Sequence, residues 1–141
     1  MAVEIRGSYA GNLKIDLTHG PSGATLTTAA PVDNQGDGSS FSPTDLAAAA
    51  LGACMLTLIG IKANQEGIAL GPELSFRLEK HMSSNPRRIG RLPVVIEMPG
   101  GLTADQRTKL ERSALTCPVH KSLSHEVEIP VEFRYPDQQS L

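Results

Sequence analysis

The stretch from Leu46 to Ile61 constrains this chain more than any other feature, because it carries no charged residue and Thr57 is its polar interruption. Its flanks are those of a helix. Ser42 can cap it, Pro43 suits the first helical position, and Asp45 falls in the first turn, where the helix dipole favours a carboxylate. Gly67 closes the other end. The apolar run falls short of the roughly 20 residues that cross a bilayer, so it reads as a helix buried in protein, and no membrane is expected as a partner. Gly52 and Gly60 would weaken so long a helix unless another element packs closely against it, and the run from Ala47 to Ala50 makes the same suggestion.

Strands are expected on both sides of this helix. From Val3 to Thr28, Leu13, Ile15 and Leu17 alternate with Lys14, Asp16 and Thr18, and the run from His19 to Gly23 makes a turn, which predicts two or three antiparallel strands. Pro31 to Ser40 is a polar loop long enough to suggest a function of its own. After the helix, Leu74, Phe76 and Leu78 alternate with polar residues, and Val94 to Met98 supplies a hairpin partner across a polar, basic connector from His81 to Arg91. Thr103 and Gln106 form a capping box for a second helix, in which Leu110, Ala114 and Cys117 share a face, and Pro118 should break or kink it. A last strand over Val127, Ile129, Val131, Phe133 and Tyr135 should sit at an edge because of Pro130, and the tail after Pro136 should fray. The class is α+β, with residues 1–141 forming a single domain.

Composition narrows the partners. A formal net charge of −2 with interspersed signs offers no field for a nucleic-acid backbone. The amino terminus, Met-Ala-Val-Glu-Ile-Arg, lacks a secretory pattern, so a cytoplasmic location is expected. With no Trp, three Phe and two Tyr, the core must be built from Ala, Leu, Val and Ile. So light a core invites completion by a second subunit.

Two cysteines without an export signal do not make a disulfide framework; they are reactive or merely apolar. Cys54 lies deep in the apolar helix, where a thiol behaves as a small hydrophobe unless a cation reaches it. Cys117 precedes Pro118, with His120 and Lys121 one turn onward. If Pro118 opens a new helical segment, free backbone N–H groups favour a thiolate there; otherwise Cys117 is a half-buried residue at a kink. Cys54, Cys117, His120 and His125 also supply the donor types of a zinc site, but in loose spacing, and no metal is expected. His19 and His81 read as exposed loop residues. Arg87, Arg88 and Arg91 read as a solvated basic face from which one guanidinium could reach an anionic thiolate or substrate.

Two segments carry a family resemblance: Ser42-Pro43-Thr44-Asp45-Leu46 running into Leu51-Gly52-Ala53-Cys54, and the block from Thr116 to Leu123 around Cys117-Pro118-Val119. They resemble the OsmC-like family, which includes the organic hydroperoxide resistance proteins, and the order of elements matches along nearly the whole chain. The resemblance implies antiparallel sheets with a long central apolar helix and a second helix, in an intertwined homodimer with active sites at the interface. It further implies a thiol-dependent peroxidase without a cofactor, in which Cys54 attacks a hydroperoxide and Cys117 resolves the sulfenic acid into a disulfide. A dithiol of lipoyl type would be the reductant, and Met55, Leu56 and Leu123 would line a pocket for organic peroxides.

Two positions depart from the family pattern. Thr44 stands where the best-known peroxidases carry Glu, with Asp45 one place later, and residues 32–40 hold no Arg. Asp45, with Arg88 or Arg91, is the expected substitute. The alternative is a non-catalytic family member that binds a small apolar ligand or senses redox state at the same pocket.

Overall fold

The computed structural model describes residues 1–137; the tail expected to fray lies mainly beyond them, at 138–141. The chain divides into two compact units, Met1–Ala47 and Ala48–Leu141.

The first unit is a three-stranded antiparallel meander of β1 (Ile5–Gly11), β2 (Lys14–His19) and β3 (Thr25–Ala29). Its tight β1–β2 turn runs through positive φ at Gly11, Asn12 and Leu13, and the β2–β3 turn is the expected His19 to Gly23 segment, held by His19 Nδ1 against Ser22 Oγ at 2.6 Å. The polar loop after β3 contains a single 3-10 turn, Val32–Asn34. Asp37 closes that loop, and its carboxyl is pulled down to about 2 by hydrogen bonds from the Ser39 side chain and backbone and by Lys14 at 3.1 Å. Much of this unit's apolar surface is open, with Ile5 67%, Tyr9 65%, Val32 75% and Phe41 54% exposed.

Helix α1 (Pro43–Gln65) starts and stops where its signals lie. Ser42 and Asp45 form a reciprocal cap: the Asp45 N–H donates to Ser42 Oγ at 3.1 Å, and the Ser42 N–H to Asp45 Oδ2 at 2.9 Å. Gly67 takes a φ of +69° after the last turn, the left-handed geometry that favours glycine. Because the flanking turns also wind into the helix, its 23 residues exceed the apolar run and are long and apolar enough to cross a bilayer by length and composition only. Its apolarity has another use here: Leu51, Met55, Ile59 and Ala63 are fully buried against protein.

The rest of the second unit supplies that core. β4 (Ser75–Leu78) pairs antiparallel with β7 (Val94–Glu97), as the alternation predicts. Leu92, Val94, Ile96 and Met98 pack with the buried face of α1 and with Leu110 and Ala114 of α2 (Ala104–Ala114), which begins at the predicted Thr103–Gln106 capping box. Three expectations need correction. The basic connector is itself a hairpin, β5 (His81–Ser83) with β6 (Arg88–Arg91). Cys117 is not a member of α2: that helix ends at Ala114, and Pro118, which cannot donate a backbone hydrogen bond, begins α3 (Pro118–Ser122). The last strand, β8 (Val131–Arg134), does lie at the edge, but it runs parallel to β7. A crossover carrying two helices separates β7 from β8, and such a crossover returns the chain in the same direction.

Candidate functional site: a pair of facing thiols

Cys54 and Cys117 come together although 62 residues separate them in the sequence. α1 presents Cys54 on the flank of its buried face, half-buried, while Cys117 is completely enclosed at 0% exposure. Both are free thiols, and their side chains lie within hydrogen-bonding range of one another.

The chain around Cys117 explains its position. Leu110 and Ala114 hold the buried face of α2, and Cys117 continues that face into the core as α2 ends. Its sulfur then caps α3, accepting the His120 N–H at 3.4 Å. Burial pushes the Cys117 thiol up from its ordinary value, and its hydrogen bond to Cys54 adds to the rise. The backbone N–H groups of His120 and Val119 pull the other way. Cys117 is thus a proton-retaining thiol that is held against Cys54 and has a backbone donor waiting at its sulfur.

The surrounding residues behave unequally. Met55 is part of the core at 0% exposure and cannot line an open pocket, whereas Leu56 and Leu123 are half-buried at its margin. Gly52 accounts for the expected close approach: a Cβ there would lie 2.3 Å from the Phe76 ring of β4. A Cβ at Gly60 would meet nothing within 4 Å, so within the chain that glycine needs no such explanation.

The supporting residues are placed as follows. Arg88 lies 3.7 Å from Glu126 and Arg91 lies 3.4 Å from Glu128, both as partly exposed pairs. Asp45 is engaged in the cap of α1, and Thr44 Oγ1 lies 3.3 Å from Ser42 Oγ. Among the described residues no three His, Cys, Asp or Glu side chains converge as a metal centre.

A cluster unforeseen from the sequence ties the end of β8 to α2. Tyr135 donates to Glu111, Arg107 stacks 4.1 Å over the tyrosine ring, and Arg107 also reaches both Asp137 oxygens at 2.9 Å. No local motif announces it, since its contacts join two segments across separations of 24 to 30 residues.

The family description "OsmC-like protein" matches residues 36–132, which hold α1, both cysteines and the start of β8. The chain belongs to the OsmC-like family. This OsmC-like protein is 36% identical, over 92% of its own length and 94% of the other chain, to a provisionally assigned osmotic stress induced and detoxification response protein from Psychrobacter arcticus 273-4, with a TM-score of 0.86. It shares its fold with an organic hydroperoxide resistance protein OsmC from Legionella pneumophila, at 22% identity and a TM-score of 0.69 over 94% and 96% of the two chains. The organic hydroperoxide resistance protein OhrB of Bacillus subtilis gives 18% identity and a TM-score of 0.60 over 95% and 98%. No curated protein sequence matches this OsmC-like chain.

Proposed function

We propose that this chain is a thiol-dependent peroxidase that reduces organic hydroperoxides, with Cys54 as the peroxidatic and Cys117 as the resolving cysteine. The observation that carries the reading is the contact between the two thiols. Peroxide cleavage needs a sulfur nucleophile and a second thiol near enough to intercept the sulfenic acid before it oxidises further. In the first step the Cys54 thiolate takes the distal oxygen of ROOH, giving Cys54–SOH and an alkoxide that leaves as ROH once protonated. In the second, Cys117 displaces water from the sulfenic acid and an intrachain disulfide forms.

Thr44, Asp45, Arg88 and Arg91 are the proposed supporting residues. Arg88 or Arg91 would have to exchange its carboxylate for the thiolate, a small sacrifice because exposed ion pairs contribute only about 0–1 kcal/mol. The proposal includes a cytoplasmic homodimer with each chain forming one domain, no resident cofactor, and a dithiol of lipoyl type as reductant. The exposed apolar side chains of the first unit support the dimer.

A second reading, a non-catalytic protein that binds an apolar ligand or senses redox state, is favoured by the engagement of Arg88, Arg91 and Asp45 elsewhere. Stopped-flow mixing of reduced protein with cumene hydroperoxide separates the two. Fast, Cys54-dependent loss of peroxide followed by a Cys54–Cys117 disulfide is expected. A rate no better than that of free cysteine would reject the peroxidase and leave the second reading.

A further inference from the structure

We infer that Glu111 and Tyr135 are positioning residues for Cys117: their hydrogen bond fixes the last turn of α2 and, through it, the place of the Cys117 sulfur beside Cys54. The inference rests on the disulfide chemistry proposed above and adds to it residues outside the thiol pair. All of them belong to the unit Ala48–Leu141 of one chain.

Glu111 is bonded through both its side chain and its backbone. Its carboxylate accepts the Tyr135 hydroxyl, and its carbonyl accepts the Leu115 N–H at 3.2 Å as α2 closes. Thr116 is tied back as well, its N–H and its hydroxyl donating to the Ser113 carbonyl at 3.1 and 2.7 Å. Leu115 and Thr116 are the residues between Ala114 and Cys117, and neither is slack. Cys117 therefore moves with the last turn of α2.

That turn needs a fixed reference. Leu110 and Ala114 pack in the core, but hydrophobic contact is non-directional and leaves sliding and rotation weakly defined. A satisfied polar network specifies one arrangement. Tyr135 supplies it, because it is buried and follows Arg134, whose carbonyl accepts the Met98 N–H at 2.7 Å. Arg107, one turn before Glu111, lies over the tyrosine ring and also grips Asp137, so the chain is held to α2 on both sides of Pro136. Links from Lys109 to Glu66 and Asp105 are exposed ion pairs and hold less firmly. Precision matters at the sulfur, since a disulfide needs its Cβ atoms about 3.5–4.5 Å apart with a dihedral near 90°. A small displacement of a reacting group forfeits much of its effective concentration.

The test measures the equilibrium between the Cys54–Cys117 disulfide and the dithiol of the full-length protein in glutathione buffers, by acid quench, alkylation and intact mass. A bond that merely stabilises the fold contributes equally to both redox forms and leaves this equilibrium unmoved. If the native protein forms no intrachain disulfide, the proposed pair chemistry falls, and this inference with it. Where the native bond forms, Tyr135→Phe should lower the equilibrium constant for the disulfide about tenfold, or about 30 mV for a two-electron couple. Glu111→Gln keeps an acceptor without the charge and should lower it about threefold. Circular dichroism checks the fold of each variant; Tyr135→Phe decides if it folds, and Glu111→Gln decides otherwise. A constant no lower than about half the native value in the deciding variant overturns the inference and leaves the peroxidase reading standing.

Discussion

Tyr135 shows how one side chain can join elements that its sequence neighbours do not. It is 7% exposed, its hydroxyl donates to Glu111, and Arg107 covers its ring. Burial, reinforced by that hydrogen bond and by the Glu111 charge, raises the hydroxyl's pKa well above its ordinary value of 10.0. Because the folded value is the higher one, the stabilisation is complete below about pH 10 and is lost as pH rises through the window above it. Tyr135→Phe should cost about 2 kcal/mol at neutral pH, the worth of a hydrogen bond to a charged group. Urea unfolding at pH 8 and pH 11 should show the gap between the variant and the native protein narrowing at the higher pH. The Cys117 thiol is raised for a related reason, burial first and the Cys54 hydrogen bond second, so it too favours the folded state below its ordinary value of 9.0 and loses that contribution above it.

Helix α1 is specified at its ends by local chemistry and along its length by what packs on it. The Asp45 carboxylate accepts the Ser42 N–H in the cap, so Asp45→Ala should lower stability by about 1 kcal/mol in thermal or urea unfolding. Gly52 and Gly60 look alike in the sequence yet should respond oppositely to alanine. At Gly52 the added methyl meets the Phe76 ring at 2.3 Å, so overpacking of about 1–3 kcal/mol outweighs the gain in helix propensity. Phe76→Leu in the same chain should recover part of that loss. At Gly60 the space is open, and alanine should raise stability by up to about 1 kcal/mol. A loss at Gly60 instead would place a neighbour from outside the chain against this face, as a second subunit would be.

For the whole molecule, the exposed Ile5, Tyr9, Val32 and Phe41 set the expectation of association. Sedimentation should give a mass twice the chain's 15.0 kDa, and a monomer at micromolar concentration would remove the dimer from the proposal. The sequence by itself determined the elements whose signals are short in range: the Ser42–Asp45 cap, the Thr103–Gln106 box and the alternation of β4 and β7. Each of these depends on hydrogen bonds or periodicity within a few residues, and such patterns can be read directly. Both cysteines stood out as candidates for the same reason, one within an apolar helix and one before a proline. Only the tertiary structure decided the parallel pairing of β8, the hairpin within the basic connector, the contact of Gly52 with Phe76, the engagement of Arg88 and Arg91 with glutamates, and the meeting of the two thiols. Those outcomes depend on which distant surfaces fit together, and a match of that kind is a property of packed pairs that no single stretch of sequence contains.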